Sequence, residues 1–342
     1  MNKYPAALLM TVNLVVAGCS RQTPEEVFQE TTDEVNATGT MTGEHMAYFR
    51  KLLRDNKSWI RLDGLTSITD EQAESVSNAE VLWLNGLTSI TDAQAQILSK
   101  VGTIYLDGLT SITETQANSL GNNGIVGLNG LTSISDQQAE SLGNVGRRLE
   151  LNGLNSITDA QAESLSSVDE LQLDGLASIT ENQAESLSGA SVFLTLSGLA
   201  TITDEQATSL SKVKDLFLWG LTSMSDAQAE SLSHNGMLSF PNLTTISNAQ
   251  AESLSKASVL YLEGLTSITN EQAKILSRVD SLMLSSVTSL TDEQAESLSK
   301  VTSLQLSGLT SISDAQAKSL SKVTRLNILQ DLQPLIDKYK NE

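Results

Sequence analysis

Cysteine, histidine, proline and aromatic residues are all scarce in this chain of 342 residues. It contains one cysteine, two histidines and four prolines, and aromatic side chains make up only 4% of it. A single cysteine excludes an intramolecular disulfide. The histidines, His45 and His234, lie far apart in the sequence, and no zinc-ligand spacing, phosphate loop or G-x-S-x-G motif occurs. We therefore expect that the protein binds no metal or cofactor and is not an enzyme. A hydrolase built on paired carboxylates is the remote alternative.

Basic residues are also few. The chain has 21 Lys and Arg against 41 Asp and Glu, which gives a formal net charge of -20. A field of this sign repels polyanions, so we expect no nucleic-acid partner. Anionic membrane surfaces are equally poor electrostatic partners. Any attachment to a membrane must therefore depend on something other than a patch of Lys and Arg.

The N-terminal residues indicate another means of attachment. Lys3 precedes a mostly apolar run over residues 6–17, which is typical of an export signal. The residues Val16-Ala17-Gly18-Cys19 resemble the lipobox of bacterial lipoproteins. The resemblance implies a signal peptide with its lipobox cysteine over residues 1–19, acylation of Cys19 with palmitate-like chains, and a membrane anchor. Because Ser20 is not aspartate, it also implies sorting to the outer membrane. An ordinary signal peptide with an incidental cysteine is the alternative.

Two segments separate this signal from the rest of the chain. Residues 20–43 are acidic, rich in threonine and poor in large apolar residues, which predicts a disordered tether. As a flexible coil it would reach about 25 to 30 Å. Residues 44–58 place Met46, Phe49 and Leu53 at helical spacing. We expect an amphipathic capping helix there, or alternatively a helix that binds a partner.

A unit of 22 residues then recurs twelve times over residues 59–322. The sequence of residues 101–122, VGTIYLDGLTSITETQANSLGN, is representative. Its first half alternates apolar and polar residues, as a short strand does, and its second half has the spacing of a short helix. Residues 323–342 contain a partial repeat and an apolar helical stripe, which predicts a C-terminal cap.

The start of each short helix is strongly specified. Every unit has Ser or Thr three residues before Gln, as in Thr158 and Gln161, which is the pattern of a capping box. A recurring Gln could alternatively form a binding ladder on the outer surface. Gly follows the strand in ten units and is replaced by Asn242 and Ser286 in the other two. We expect a tight turn with positive φ at this position.

These features resemble the leucine-rich repeat. Val101, Ile104, Leu106, Leu109 and Ile112 match its spacing, and Ile157-Thr158-Asp159 resembles the ITD segment of its cysteine-containing subtype. The resemblance implies an α/β solenoid shaped like a horseshoe, with a parallel β-sheet on the concave face and short helices on the convex face. Where that family usually has Asn or Cys, this chain has Leu, as at Leu109. We therefore expect Thr and Ser to satisfy the turn instead.

Polar residues form one row beside the turn. The residue before the turn glycine is acidic or an amide in the first six units: Asp63, Asn85, Asp107, Asn129, Asn152 and Asp174. Asp-Gly and Asn-Gly are common turn dipeptides, so turn chemistry is the favoured interpretation. The alternative is calcium bound by oxygen ligands about 4.8 Å apart on neighbouring strands.

The scarce aromatic residues fall mostly on one predicted surface. Side chains that point away from the core along the strands include Trp59, Trp83, Tyr105, Phe193, Phe217, Trp219 and Tyr261, together with Met283. Phe240 is the one aromatic residue of the repeats that we expect in the core. Exposed aromatic clusters mark recognition surfaces, so these seven aromatic residues are the candidate ligand-binding residues. Six of them form two predicted centres: Trp59, Trp83 and Tyr105 near the start, and Phe193, Phe217 and Trp219 in the middle. Alternatively, they merely favour strands and pack across them.

Together these observations predict a monomeric, lipid-anchored protein of the bacterial cell envelope. We expect its concave face to bind a protein or a glycan, and Cys19 to carry the lipid. The main alternative is a structural spacer or scaffold with no specific ligand, in which regular stacking is itself the function.

Overall fold

The computed structural model describes residues 24–55, 59–190 and 192–340. The predicted signal peptide and Cys19 lie outside these residues. Within the described part of the chain, no helix is both long enough and apolar enough to cross a bilayer. The chain divides into two compact units, residues 1–130 and 131–342.

The first unit begins with two helices and continues with strands that alternate with two-turn helices. Its elements are α1 (Pro24–Thr38), α2 (Gly43–Asp55), β1 (Trp59–Arg61), α3 (Asp70–Val76), β2 (Val81–Trp83), α4 (Asp92–Leu98), β3 (Thr103–Tyr105), α5 (Glu114–Leu120) and β4 (Ile125–Gly127). The four strands are parallel and pair in the order in which they occur along the chain.

The second unit repeats the alternation nine times. Its elements are α6 (Asp136–Leu142), β5 (Arg148–Glu150), α7 (Asp159–Leu165), β6 (Glu170–Gln172), α8 (Glu181–Leu187), β7 (Phe193–Thr195), α9 (Asp204–Leu210), β8 (Asp215–Phe217), α10 (Asp226–Leu232), β9 (Met237–Ser239), α11 (Asn248–Leu254), β10 (Val259–Tyr261), α12 (Asn270–Leu276), β11 (Ser281–Met283), α13 (Asp292–Leu298), β12 (Ser303–Gln305), α14 (Asp314–Leu320), β13 (Arg325–Asn327), a 3-10 helix (Gln330–Leu332) and α15 (Gln333–Lys340). Strands β5 to β13 are parallel and also pair in chain order.

Each repeat is held by an apolar layer between its strand and its helix. In the third repeat Ile104, Leu106, Leu109, Ala117 and Leu120 are fully buried. A helix of seven residues is too short to be stable alone, so this burial, together with its cap, must stabilise it. Phe240 is also fully buried, as predicted.

All twelve short helices of the repeats have the predicted capping box. In α4, for example, the Thr91 hydroxyl accepts a hydrogen bond from the Gln94 backbone N–H, and Gln94 Oε1 accepts one from the Thr91 N–H. The Gln side chain also has a second role. Its Nε2 donates to the carbonyl of Ile68 in the preceding repeat, at 2.6 Å, and Gln94 is only 7% exposed. The recurring glutamine therefore forms a ladder inside the fold and not on its outer surface.

The predicted conformation of the turn glycines is wrong. Gly39 has φ of 63°, and it is the only residue with positive φ in the described part of the chain. The turn glycines are needed for a different reason. A Cβ on Gly86 would lie 2.1 Å from the backbone oxygen of Asp63 in the preceding repeat. At the turns that carry glycine, the stacked backbones approach so closely that a side chain would clash, whereas the turns at Asn242 and Ser286 carry one.

The row of Asp and Asn beside the turn also has a structural role. Asp63 Oδ1 accepts a hydrogen bond from the Asn85 backbone N–H at 3.0 Å, and Asn85 Oδ1 accepts one from the Asp107 N–H at 3.0 Å. In the units that carry Asp or Asn this ladder supplies acceptors to the turns, so for these units the prediction that Thr and Ser do so is wrong. The leucines that replace the family's Asn, such as Leu87, are buried.

The prediction of a disordered tether over residues 20–43 is wrong for residues 24–43. Helix α1 occupies Pro24–Thr38, and Gly39 ends it, with its N–H donating to the Val35 carbonyl. Val35 and Met41 are buried. Helix α2 occupies Gly43–Asp55, where the capping helix is predicted, and buries Phe49 and Leu53. Both helices are integral parts of the first unit.

Candidate binding surface

The strands present one side to the helices and the other to solvent. We call the solvent side the sheet face. Each strand has three residues, and in most repeats the middle one is buried. The first and third residues point onto the sheet face, as in the exposed–buried–exposed pattern of β1. Because neighbouring strands pair without a shift, equivalent residues line up in rows across the strands.

Three of the predicted site residues come together in the first unit, and the structure adds a fourth. The ring centroids of Trp59 and Trp83 are 6.4 Å apart, and those of Trp83 and Tyr105 are 5.5 Å apart with an interplanar angle of 7°. Phe28 of α1 packs edge-on against Trp59 at 5.5 Å. We call Phe28, Trp59, Trp83 and Tyr105 the N-terminal aromatic cluster.

Both faces of the Trp83 ring are covered. The third residues of β1, β2 and β3 are Arg61, Trp83 and Tyr105, so Arg61 and Tyr105 flank Trp83 from opposite sides. The Arg61 guanidinium carbon is 5.5 Å from the centre of the Trp83 ring, and Asp63 holds the guanidinium through a 2.7 Å hydrogen bond from Arg61 Nε. The cluster therefore offers mainly ring edges, and one tryptophan that is 49% exposed, Trp59.

Tyr105 is accommodated by a glycine on the next strand. A Cβ on Gly127 would lie 2.5 Å from Tyr105 Cδ1, so the tyrosine ring occupies the space above Gly127. Gly127 is paired with Tyr105 in the strand register. A glycine at this strand position is thus part of the aromatic cluster, although it carries no side chain.

Three further predicted residues come together in the second unit. The ring centroids of Phe193 and Phe217 are 4.9 Å apart, and those of Phe217 and Trp219 are 5.8 Å apart at 84°. Phe217 is nearly buried between Thr195 and Ser239, whereas Trp219 is 44% exposed. We call Phe193, Phe217 and Trp219 the central aromatic cluster.

Tyr261 stands apart from both clusters. It is half-buried on the third position of β10, beside Met283 of β11. Among the described residues it has no aromatic partner. The sequence also places it outside the two predicted aromatic centres, and the structure agrees.

Trp219 lies where the Asp and Asn ladder ends. Asp174 Oδ1 accepts from the Ser197 N–H at 2.9 Å, and the next residues of the row are Trp219 and Pro241. Trp219 has no side-chain acceptor, and Pro241 has no N–H that needs one. Pro241 therefore tolerates the missing acceptor of Trp219. Within the described part of the chain, Ser197 Oγ is buried and has no hydrogen-bond partner, so the ladder does not continue from Ser197 to Trp219.

A charged group lies beside the central cluster. The Glu170 carboxylate is only 11% exposed and accepts hydrogen bonds from Arg147 Nε at 3.0 Å and Arg148 Nε at 2.6 Å. Burial raises the pKa of Glu170, but the hydrogen bonds and charges of Arg148 and Arg147 outweigh it, so the pKa lies below its ordinary value. Glu170 pairs with Phe193 in the strand register. An ionised, fixed carboxylate therefore borders the aromatic rings.

The two histidines have local structural contacts. His45 Nδ1 accepts a hydrogen bond from the Thr42 N–H, and His234 lies 3.1 Å from the Ser231 carbonyl. Within residues 24–55, 59–190 and 192–340, no group of three or more His, Cys, Asp or Glu side chains could hold a metal ion. The side chains of the Asp and Asn row accept backbone hydrogen bonds from the neighbouring repeat, as turn chemistry requires.

Sequence reasoning missed Phe28 because its segment was expected to be disordered. The signal was nevertheless present. Pro24 followed by Glu25 and Glu26 is a typical first turn of a helix, and Gly39 is a typical helix end.

Comparison with known proteins identifies the fold. No protein-family model matches the chain, and no curated protein matches it. An internalin (inlF) of Listeria monocytogenes superposes with a TM-score of 0.53 at 16% identity, covering 91% of this chain and 92% of its own. A chain from the structure of the Drosophila Toll–Spatzle complex gives a TM-score of 0.54 at 13% identity, covering 77% of this chain. This chain spans only 41% of the length of that chain from the Toll–Spatzle complex. Both are leucine-rich-repeat proteins, and at these identities they show that the chain has the α/β solenoid fold of the leucine-rich repeat.

Proposed function

We propose that the protein is a lipid-anchored binding protein of the cell envelope whose sheet face binds a protein partner through its two aromatic clusters. The observation that carries this proposal is the exposure of two tryptophans, Trp59 and Trp219, which are 49% and 44% exposed on a chain with few aromatic residues. Tryptophan is enriched among the residues that contribute most to protein interfaces. Proteins with the leucine-rich-repeat fold generally mediate protein interactions, which supports a binding role.

The arrangement of the rings favours a protein over a glycan at the clusters. A sugar ring stacks on an open aromatic face, but Arg61 and Tyr105 cover the two faces of Trp83. Ring edges and partly exposed tryptophans suit the apolar side chains of a protein partner. The Glu170 carboxylate and Arg147, which is 65% exposed, supply charged groups at the rim of the central cluster.

The partner contact is tested by substitution of the two exposed tryptophans. We expect Trp59→Ala and Trp219→Ala to reduce the amount of partner crosslinked to the tagged protein on intact envelopes by about tenfold or more, since buried aromatic anchors contribute about 2 kcal/mol or more. Leu329→Ala is the matched control, because Leu329 is 43% exposed and lies outside both clusters. Equal crosslinking of all three variants and the wild type would refute the proposal.

The lipid anchor rests on the sequence Val16-Ala17-Gly18-Cys19 and on the outer-membrane preference that Ser20 implies. The Cys19→Ser variant should lose incorporation of labelled palmitate and should appear in the soluble fraction. Localisation to the outer membrane is measured by density separation of the envelope. Membrane retention of the Cys19→Ser variant would contradict the lipid anchor. It would not bear on the aromatic clusters, which are tested by the tryptophan variants.

A spacer without a specific ligand is the second candidate, and the regularity of the polar ladders favours it. Two deletions of whole repeats distinguish the candidates: residues 193–236, which contain the central cluster, and residues 259–302, which do not. A spacer should respond equally to both deletions because both shorten it equally. A binding protein should lose its partner with the first deletion and retain it with the second.

A further inference from the structure

A shallow depression lies on the sheet face of the second unit, near its C-terminal end, and includes none of the residues of the aromatic clusters. Its volume is about 280 Å³, and strands β10 to β13 line it. It exists because two small residues, Ser281 and Ser303, occupy the first strand position between the larger Val259 and Arg325. The third strand positions, which begin with Tyr261, form its other side.

The lining of this depression differs in charge from the rest of the molecule. The chain has 41 acidic residues, yet none of them lines the depression, whereas Arg325 does. Arg325 is exposed, and no carboxylate forms an ion pair with it in the part of the chain that the structure describes. Its guanidinium can therefore donate two parallel hydrogen bonds to an incoming carboxylate.

The other lining groups are neutral and polar. The hydroxyls of Ser281 and Ser303 and the amides of Gln305 and Asn327 face the same space. Hydroxyl and amide groups can each donate and accept, which suits a ligand with several hydroxyl groups. Gln305 Nε2 is held by a hydrogen bond to Ser285 Oγ at 3.0 Å, so its amide is fixed in place.

Tyr261 supplies an aromatic wall of a kind that the two clusters lack. Trp83 is covered on both faces, but Tyr261 has no aromatic partner among the described residues, and its strand neighbours are Ser239 and Met283. Tyr261 and Met283 line the depression side by side, and the C–H groups of a sugar ring can pack against these two side chains. The volume falls slightly below the range of about 300 to 1,000 Å³ for drug-sized ligands, so it suits a single sugar ring.

We propose that this depression binds one carboxylate-bearing sugar residue of a glycan, with Arg325 on the carboxylate and Tyr261 against the ring. The site goes beyond the proposed protein-binding function, because it shares no residue with the two aromatic clusters. A glycan ligand also accounts for the absence of acidic side chains from the lining. The protein thus carries two separate recognition surfaces on its sheet face.

The test compares an acidic and a neutral probe on the full-length protein in detergent. Tetragalacturonate and tetragalactose are titrated by calorimetry and by the shift of ligand NMR signals. We expect tetragalacturonate to bind about tenfold more tightly or better, as one charge-assisted bidentate contact provides. Arg325→Gln should abolish this preference and leave weak binding of both probes, and Tyr261→Ala should weaken both.

Arg278→Gln is the matched control, because Arg278 lies on the helical side and forms an ion pair with Glu252. Thermal unfolding monitored by circular dichroism shows that each variant is folded. Equal affinity for the two probes, or an unchanged preference in Arg325→Gln, would overturn the proposal. Tighter binding of a peptide with a free C-terminal carboxylate than of tetragalacturonate would overturn it too. The Trp59→Ala and Trp219→Ala variants should bind tetragalacturonate normally, so failure of this site and failure of the protein interface are distinguishable.

Discussion

At the scale of single residues, the glutamine of each short helix forms two kinds of hydrogen bond at once. Its Oε1 completes the cap of its own helix, and its Nε2 bonds a carbonyl of the preceding repeat, as Gln183 does with Thr180 and Ile157. The capping box is readable from sequence, because it joins residues three positions apart. The bond between repeats joins residues 26 positions apart. It becomes visible only when the repeats are stacked.

Substitution of one such glutamine should measure both bonds together. We expect Gln94→Leu to lower the free energy of unfolding by about 1 to 3 kcal/mol, because two backbone groups lose their partners in a buried position. Gln96→Leu is the matched control, since Gln96 is exposed on the same helix and should change stability by less than about 0.5 kcal/mol. Urea denaturation of both variants checks this. Equal effects of the two substitutions would contradict the ladder.

The lowered pKa of Glu170 predicts how the stability of the protein depends on pH. Its pKa is below the ordinary value in the folded protein, so the unfolded chain takes up its proton first as the pH falls. The stability that Glu170 contributes is therefore complete above about pH 4.5, the ordinary value for the group, and is lost as the pH drops below it. In denaturation curves between about pH 6 and 3, wild type should lose more stability than Glu170→Gln.

Glu140→Gln is the control for charge alone, because Glu140 is exposed and lies on a helix of the same unit. This variant should follow the wild-type profile. A Glu170→Gln profile parallel to wild type would show that the pair with Arg147 and Arg148 contributes no pH-dependent stability.

The aromatic residues mark the limit of prediction at this scale. Strand alternation places Trp59, Trp83 and Tyr105 on one face, because side chains alternate along a strand. It does not indicate that Arg61 and Tyr105 cover the ring of Trp83, since that depends on side-chain rotamers across three strands. The separation of Tyr261 from the clusters was predictable, because it lies two repeats after Trp219 in the sequence.

At the scale of elements, helix α1 takes the place of a preceding repeat. Asn36 Oδ1 accepts a hydrogen bond from the Gly64 N–H at 2.9 Å, and Asn36 Nδ2 donates to the Arg61 carbonyl at 3.0 Å. The Met41 carbonyl accepts from Gln72 Nε2 at 2.7 Å. The helix and the segment that follows it thus supply acceptors that the first repeat would otherwise lack.

This docking of α1 predicts which side chain limits its hydrogen exchange. Asn36→Ala should increase the rate of amide hydrogen exchange over residues 24–38, because both bonds to the first turn are lost, at a cost of about 1 to 3 kcal/mol. Gln29→Ala is the matched control on the same helix, since Gln29 is exposed and bonds only Asp33. Mass spectrometry of exchanged peptides measures both variants. Unchanged exchange in Asn36→Ala would mean that α1 docks by other contacts.

Composition misled the prediction for this element for a physical reason. The segment buries few apolar side chains, chiefly Val35 and Met41, and this paucity is typical of disordered chains. Its attachment instead uses one amide side chain and backbone groups, which any composition can provide. The capping helix α2 was predictable because its apolar stripe is a periodic signal.

At the scale of the whole molecule, the repeats are joined in one direction. Gln side chains and cap hydroxyls donate to the preceding repeat, as Thr180 does to Asp159 at 3.0 Å. This bond and those from Asn182 and Gln183 lower the pKa of Asp159. The backbone N–H of the turn donates in the same direction. In these ladders each repeat therefore has its donors on the side facing the N-terminus and its acceptors on the side facing the C-terminus. Strand N–H groups such as that of Leu84 donate in the opposite direction, to the following repeat.

The two ends of the chain cover these unlike sides. Helix α1 presents acceptors at the first repeat, and Lys338 of α15 donates to Asp314 at 3.3 Å at the last one. A variant that lacks both residues 24–58 and residues 329–342 should associate head to tail and grow with concentration, because such a contact does not close on itself. Light scattering after size-exclusion chromatography measures this growth.

Variants with one of the two deletions are the controls, since each exposes only one of the two complementary sides and should remain monomeric. Circular dichroism must show that all three variants are folded. A folded double variant that remains monomeric at every concentration would show that the ladders do not hold separate molecules together.

The sameness of the ladders has a consequence for the gene as well. Because the same donors meet the same acceptors from one repeat to the next, in-frame duplication or loss of a 22-residue unit within either compact unit leaves few polar groups without a partner. Unequal recombination between near-identical repeats should therefore often yield folded proteins. Lengths can then vary among descendants of one gene, whereas the proposed functions require that the repeats with the two aromatic clusters and with Arg325 are kept.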